Sequence, residues 1–130
     1  IHSEHQEAVK VAGARVLEEL GLQEADRLKP RVTSSKLITN IDPYQAQMIN
    51  ARSSGGLLLS RQTLCVIEVA PAAYIVLAAN EAEKAANITL VHYSQSGVYG
   101  RLYISGTESD VRQARDHAVP IVESLPGREK

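Results

Sequence analysis

The sequence predicts an α/β fold in which a βαβ crossover and a hairpin form one mixed sheet, with the helices packed on one side of it. Three segments lead to this fold class. A nearly continuous apolar strand at 63–69 is followed by a helix that begins at Pro71 and by a β-branched strand at 88–93. This order predicts a right-handed crossover between parallel strands. The turn at Ser94–Gly97 then leads to an alternating strand at 98–105, which we expect to pair antiparallel with its predecessor.

The composition sets the size of the fold and excludes several classes of protein. With 130 residues, 44% hydrophobic and 22% charged, the chain fits one globular domain or one and a half small ones. It has no Phe or Trp, and its net charge of -1 comes with no basic run, so nucleic-acid binding is not expected. No apolar stretch approaches the roughly 18 residues of a spanning helix, so we predict no membrane contact. Because the sequence begins at Ile1 rather than Met, we expect a processed or cropped product.

Amphipathic helices are predicted near both ends of the chain. Residues 3–20 carry apolar side chains at helical spacing, and so do residues 108–125, which follow Thr107 as the capping residue. Pro120 lies inside the second helix. Because proline removes a backbone hydrogen bond at a cost of ~3 kcal/mol, we expect a kink or break near Val119. The likeness of these two helices is the only sign of an internal repeat.

A strand, a short helix and a linker are predicted between the first helix and the sheet. Residues 31–39 are rich in β-branched side chains and predict the strand. Residues 42–50 predict the short helix, with Pro43 at its first position. Residues 51–56 (ARSSGG) combine Ser and Gly, a composition that favours a flexible linker.

The reactive side chains form no recognisable catalytic or metal-binding pattern. Cys65 lies in a predicted buried strand, where burial raises the pKa of a thiol and leaves it inert. His2 and His5 are three residues apart, but no third ligand stands at a recognisable spacing. Glu68 interrupts the apolar strand, and we interpret it as facing solvent or a subunit contact. We therefore predict no enzymatic activity, no metal and no cofactor, and a domain that binds something or assembles.

Residues 63–125 resemble the shell-protein domain of bacterial microcompartments (BMC). Four segments carry the resemblance, in order and at nearly the family's spacing: TLCVIEV (63–69), NEAEKAANITLVHY (80–93), SQSGVYG (94–100) and ISGTESDVRQA (104–114). In the family these are a first strand, a helix running into a second strand, a Gly/Ser-rich pore loop, and a strand leading to a helix. The resemblance implies a ferredoxin-like BMC fold.

The resemblance also implies a function. Family members are structural shell subunits that form hexagonal tiles, either as hexamers of single-domain chains or as trimers of tandem-domain chains. Tiles join edge to edge, with other shell proteins, around encapsulated enzymes in the bacterial cytoplasm. A central pore passes small metabolites, and the enclosed pathway is encoded elsewhere.

Two groups of residues match functional positions of the family. Lys84 matches the lysine at the tile edge, and Asn80 and Asn87 fall on the same side of the predicted helix. The pore-loop positions are Ser94, Gln95, Ser96, Gly97 and Val98. Some tandem relatives bind an iron–sulfur cluster at the pore through cysteine, but 94–100 contains none, so no cluster is expected.

The resemblance departs from the family pattern at both ends. No final strand follows the last helix, whereas residues 1–50 resemble the rear part of a BMC domain: helix, strand and short helix. Thr39-Asn40-Ile41 stands where the family has a Pro-Arg-Pro step. We therefore predict a rear part at 1–50, a linker at 51–56 and a BMC domain without its final strand at 57–130. A tandem protein cut at both ends is favoured over a rearranged domain that takes its last strand from the N-terminal segment.

One alternative belongs to a different functional class. A ferredoxin-like regulatory domain that binds a small molecule would also use βαβ units and edge pairing. It predicts a discrete dimer with saturable ligand binding that is insensitive to Lys84→Ala, whereas a shell subunit predicts sheets or large particles that this substitution weakens.

Overall fold

The computed structural model describes residues 1–129, which fall into two units. The larger unit is Pro30–Leu125; the smaller consists of Ile1–Lys29 and the described residues from Pro126 on. In the larger unit the elements are β1 (Arg31–Ile38), α1 (Pro43–Ala51), β2 (Thr63–Ala70), a 3-10 turn (Ala72–Tyr74), α2 (Ile75–Ala85), β3 (Thr89–Ser94), β4 (Gly100–Gly106) and α3 (Glu108–Glu123). The smaller unit contains the helix Gln6–Leu20, called αN here, and a 3-10 turn at Glu24–Asp26.

The four strands form one sheet in the order β1-β2-β4-β3. The predicted hairpin of β3 and β4 and the α/β class are confirmed. Every neighbouring pair is antiparallel, so the parallel strands β2 and β3 are separated by β4 and are not hydrogen-bonded to each other. The mixed sheet of the sequence analysis is corrected to an antiparallel one because the hairpin strand inserts between the two strands of the crossover.

Both faces of the sheet are covered. On one face Cys65, Ile67 and Ile104 pack against α2 and α3, whose alanines let the helices lie close to each other and to the strands. On the other face Leu64 and Val91 join a second core. The second core also contains Ile41, Ala46 and Leu58. Because Ala46 belongs to α1, this short helix lies on the opposite face, and the prediction that the helices pack on one side holds only for α2 and α3.

The first strand completes the sheet from the N-terminal side. In β1, Ser35 pairs with Ile67 and Leu37 pairs with Cys65 of β2. β1 is thus an edge strand of the sheet, and it precedes the other three strands in the chain. The structure divides the chain between Lys29 and Pro30.

Residues 51–56, the predicted linker, form a packed loop. The backbone N–H of Gly55 donates to the carbonyl of Val91 at 2.9 Å, and that of Gly56 donates to Leu90 at 2.7 Å. An added Cβ at Gly55 would overlap the Leu90 carbonyl oxygen. The glycines serve close backbone approach rather than flexibility, so no flexible linker separates two domains here.

The last helix runs without a break through Pro120, contrary to the expectation of an interruption near Val119. Pro120 is one turn from the end of α3, and the carbonyl of Pro120 still accepts from the N–H of Ser124 at 2.9 Å. Thr107 caps the helix as predicted, accepting from the N–H of Asp110 at 3.2 Å. No helix among residues 1–129 is long and apolar enough to cross a membrane.

The smaller unit exposes most of its apolar surface. None of the residues of αN is buried, and Val16 and Leu20 are 50% and 64% exposed. Two arginines connect the segment after αN with the C-terminal segment, each binding a backbone carbonyl of the other segment. Arg27 donates Nε to the carbonyl of Pro126 at 2.8 Å, and Arg128 donates Nε to the carbonyl of Asp26 at 3.0 Å.

Candidate assembly edge and pore loop

The predicted edge residues are exposed, but they do not all lie on one helix. Asn80 and Lys84 are one turn apart on α2, and both are exposed. Asn87 lies beyond the end of α2, in the turn before β3. The prediction that the three share one helical side is therefore corrected for Asn87. The helix ends at Ala85, and Ala86 has an extended backbone conformation.

A carboxylate lies beside the Lys84 ammonium on the surface of α2. Lys84 Nζ lies 3.5 Å from Glu81 Oε1, and His117 Nε2 on α3 lies 3.1 Å from Glu81 Oε2. Glu81 is 17% exposed and Lys84 is 62% exposed. Sequence reasoning missed this group. The spacing from Glu81 to Lys84 was a visible signal, but the contact with His117 depends on how α2 packs against α3.

The predicted pore residues lie at the β3–β4 connection. Ser94 ends β3, and Gln95, Ser96, Gly97 and Val98 follow in an exposed loop. The strand predicted to begin at Val98 begins instead at Gly100, so Val98 stands free of the sheet and is 74% exposed. Gly97 has φ 92°, a backbone conformation that glycine adopts without strain.

A polar row crosses the sheet beneath the base of this loop. Glu68 pairs in register with Ser34 on one side and Arg101 on the other, and Arg101 pairs with Ser94 at the start of the loop. Arg101 Nε donates to Glu68 Oε2 at 2.9 Å, and Thr33 Oγ1 donates to Glu68 Oε1 at 2.8 Å. Glu68 is thus paired with Arg101 on the neighbouring strand, and this partner follows only from the strand order.

These contacts shift the titration of both charged groups. The hydrogen bond from Arg101, followed by that from Thr33, lowers the pKa of Glu68 below its ordinary value. The same bond and the Glu68 charge raise the pKa of Arg101. The row therefore keeps one carboxylate and one guanidinium ionised and paired at the foot of the loop.

Glu68→Gln is expected to lower the stability of the protein at pH 7 and to have little effect in acid. A carboxyl whose folded-state pKa is lowered contributes stability above its unfolded pKa of roughly 4.3, and this contribution is lost as the pH falls through the folded pKa. Urea unfolding midpoints of wild type and variant, measured at pH 7 and at about pH 3, check this. Glu108→Gln, which breaks a pair with Arg112 within one helix, is the control. A difference for Glu68→Gln that persists unchanged in acid would contradict the interpretation.

Cys65 is fully buried in β2, as predicted. Burial raises the pKa of its thiol to about 11; the charge of Arg115 acts to lower this pKa and that of Asp116 to raise it. The thiol is therefore neutral at physiological pH and contributes to packing. Among residues 1–129, no three His, Cys, Asp or Glu side chains come together in a way that could hold a metal ion.

Comparison with known proteins shows the class to which the chain belongs. The family model of the BMC domain matches residues 63–127. This range contains all of the residues that the sequence analysis assigned to the edge and the loop. The chain belongs to the BMC domain family, and the resemblance noted in residues 63–125 is confirmed.

Particular relatives are shell proteins. The chain is 50% identical over 129 residues to the carboxysome shell protein CcmP of Synechococcus elongatus, covering 99% of this chain and 61% of that protein. It is 40% identical over 115 residues to the carboxysome shell protein CsoS1D of Hydrogenovibrio crunogenus, covering 88% of this chain and 56% of that protein. The chain thus spans less than two thirds of the length of either relative.

Two solved structures match the fold closely. The double-ringed trimeric shell protein MSM0271 of the RMM microcompartment superposes with a TM-score of 0.96 at 36% identity, covering 99% of this chain and 64% of that chain. The fused permuted hexameric shell protein MSM0275 of the same microcompartment superposes with a TM-score of 0.87 at 41% identity, covering 92% and 63%.

Proposed function

We propose that this chain is part of a structural shell subunit of a bacterial microcompartment. The observation that carries the proposal is the agreement of nearly the whole chain with the shell protein MSM0271, at a TM-score of 0.96. Identity to two carboxysome shell proteins favours this function over a ferredoxin-like regulatory domain. The subunit lies in the bacterial cytoplasm as part of the shell, assembles with copies of itself and other shell proteins around enzymes, and has a structural rather than an enzymatic role.

Tile edges use the exposed side of α2. A lysine has a long apolar stem that lies along a neighbouring surface while its ammonium binds backbone carbonyls. Lys84 is exposed and stands one turn from Asn80, whose amide offers both a donor and an acceptor. Asn87 adds a second amide just past the helix end. These three residues supply polar contacts at an edge that meets another copy.

The loop from Ser94 to Val98 lines a metabolite pore. Its residues are small or polar apart from Val98, and they project from the sheet at the tip of a hairpin. Gly97 allows the backbone to turn with a positive φ, so that backbone groups from several subunits can converge on an axis. Backbone N–H groups and hydroxyls at such an axis select small polar solutes.

The tandem arrangement is part of the proposal. Residues 30–125 form a rearranged BMC domain whose edge strand comes first, and residues 1–29 are the end of a preceding domain of the same kind. In α3 the buried face consists of Val111, Ala114, Ala118 and Val122. In αN the apolar residues Val9, Ala12, Val16 and Leu20 have the same spacing, three, four and four. The reciprocal arginines after αN and α3 support the repeat, since each segment binds the other's backbone in the same way.

Lys84→Ala is expected to prevent the growth of sheets while leaving the discrete tile intact, because the change removes an edge contact and no contact within the core. Negative-stain electron microscopy shows the sheets, and size-exclusion chromatography shows the tile. Lys10→Ala is a matched control: Lys10 pairs with Glu7 three residues away and is 63% exposed, as Lys84 is 62% exposed with Glu81. Finding only dimers at high concentration, with no discs or sheets in the wild type, would contradict the shell function.

A further inference from the structure

We infer that Glu81 and His117 are positioning residues for Lys84, a role that rests on the proposed edge function of this lysine. They hold its side chain in one orientation before another tile arrives. Glu81 lies between the two partners, with one carboxylate oxygen 3.1 Å from His117 Nε2 and the other 3.5 Å from Lys84 Nζ. The three side chains thus form a chain of contacts from α3 across α2 to the exposed ammonium.

The burial of the carboxylate separates this group from an ordinary surface ion pair. Glu7 and Lys10 on αN have the same three-residue spacing, a distance of 3.8 Å and a lysine of equal exposure. Glu7, however, is 83% exposed, whereas Glu81 is 17% exposed. Glu81 therefore has few conformations available, while Glu7 is solvated and free to reorient. Because one carboxylate oxygen of Glu81 is held by His117, the other oxygen restricts the position of the Lys84 ammonium.

Polar contacts also hold α2 against α3 on either side of Lys84. Gln113 on α3 donates Nε2 to the carbonyl of Ala85, the last residue of α2, at 2.8 Å. His117 is one turn farther along α3 and contacts Glu81 one turn back along α2. Two polar contacts in succession thus hold the exposed end of α2 against α3, and Lys84 lies on the segment between them.

Orientation matters for an edge because a lysine loses rotamer freedom when a partner immobilises it. An ammonium already held by Glu81 has lost part of that freedom before contact, so less is lost on assembly. The ammonium has three N–H donors, so pairing with Glu81 leaves donors for the neighbouring tile.

The test is a double-mutant cycle on sheet assembly, read as the lowest protein concentration that gives sheets. Glu81→Gln is expected to raise that concentration by about twofold to fivefold, the upper range for an ion pair in which one partner, Lys84, is exposed. In a Lys84→Ala background Glu81→Gln is expected to add nothing, because Glu81 acts through the lysine. His117→Leu should act as Glu81→Gln does, and His117→Gln, which retains an N–H donor, should restore assembly. Glu7→Gln is the matched control and should leave assembly unchanged.

A second measurement applies to the discrete tile and does not require sheets. The rate of Lys84 acylation by an amine-reactive reagent, measured by mass spectrometry, should rise about twofold to fivefold in Glu81→Gln, since the carboxylate no longer holds the ammonium. Lys10 serves as the internal reference. If Lys84→Ala does not change assembly, the edge function itself fails. If Lys84→Ala weakens assembly while Glu81→Gln changes neither assembly nor acylation, or adds to Lys84→Ala, only the positioning role is overturned.

Discussion

Gly100→Ala is expected to lower the free energy of unfolding of the larger unit by about 3 kcal/mol, the upper end of overpacking effects in cores. Gly100 is buried at the start of β4, and a Cβ there would overlap the carbonyl oxygen of Ala72 and lie 2.8 Å from the Cβ of Ile75. The backbone on one side and a β-branched side chain on the other leave no flexible group to yield. Urea unfolding followed by circular dichroism measures the change.

The control for Gly100→Ala is Gly13→Ala. Gly13 lies inside αN with nothing within 4 Å of an added Cβ. Alanine there is expected to stabilise the helix by roughly 0.5–1 kcal/mol, because glycine loses more backbone entropy on folding. Equal stabilities of Gly100→Ala and the wild type would show that β4 and α2 are packed more loosely than the structure has them.

This contact also connects the two proposed functional surfaces. Gly100 is the residue at which the loop ends and β4 begins, and Ile75 is the first residue of α2, which carries Lys84. The close approach of β4 to Ile75 therefore fixes the base of the loop against the start of the edge helix. The proposed function needs both surfaces on one rigid body, and the missing side chain of Gly100 permits the close contact between them.

The sequence predicted the helices and strands themselves better than it predicted which of them pair or pack together. Hydrophobic periodicity located α2, α3 and the β3–β4 hairpin because these depend on contacts near in the chain. The pairing of β1 with β2 depends on a contact between segments about 30 residues apart, and the N-terminal strand carries no mark of its partner. The sequence does carry a signal for the position of α1. Leu64 and Val66 in β2 are apolar and lie on the face opposite Cys65 and Ile67, so both faces of the sheet must be covered.

The residues of the candidate site differ in the same way in how far the sequence predicts them. A match of residue types to a family placed Lys84 and the loop, since those positions are local in sequence. The partners of Glu68 and Glu81 lie on neighbouring elements and follow from register and helix packing. The linker at 51–56 illustrates a further difficulty, because Gly and Ser are equally suited to a flexible segment and to close backbone contact. There Asn50 binds both backbone groups of Leu58 at 2.8 Å and holds the loop in place.

Val16→Lys is expected to have a small effect on the stability of this chain and a large one on a longer protein that contains the proposed preceding domain. In residues 1–130 alone Val16 is 50% exposed, so the substitution should change the free energy of unfolding by no more than about 0.5 kcal/mol. If αN closes a preceding BMC domain, Val16 takes the place that Ala118 has in α3, where the side chain is fully buried. A lysine buried there without a partner should cost about 3 kcal/mol or more.

Thermal unfolding of both proteins, with and without Val16→Lys, measures this difference. Glu18→Lys is the control, because Glu18 is exposed and lies off the apolar stripe of αN, and it should have little effect in either protein. Equal, small effects of Val16→Lys in both proteins, or a gene product that begins at Ile1, would contradict the tandem arrangement. A large effect confined to the longer protein would show that the exposed face of αN is the inner face of a second domain, since only burial makes one added charge so costly.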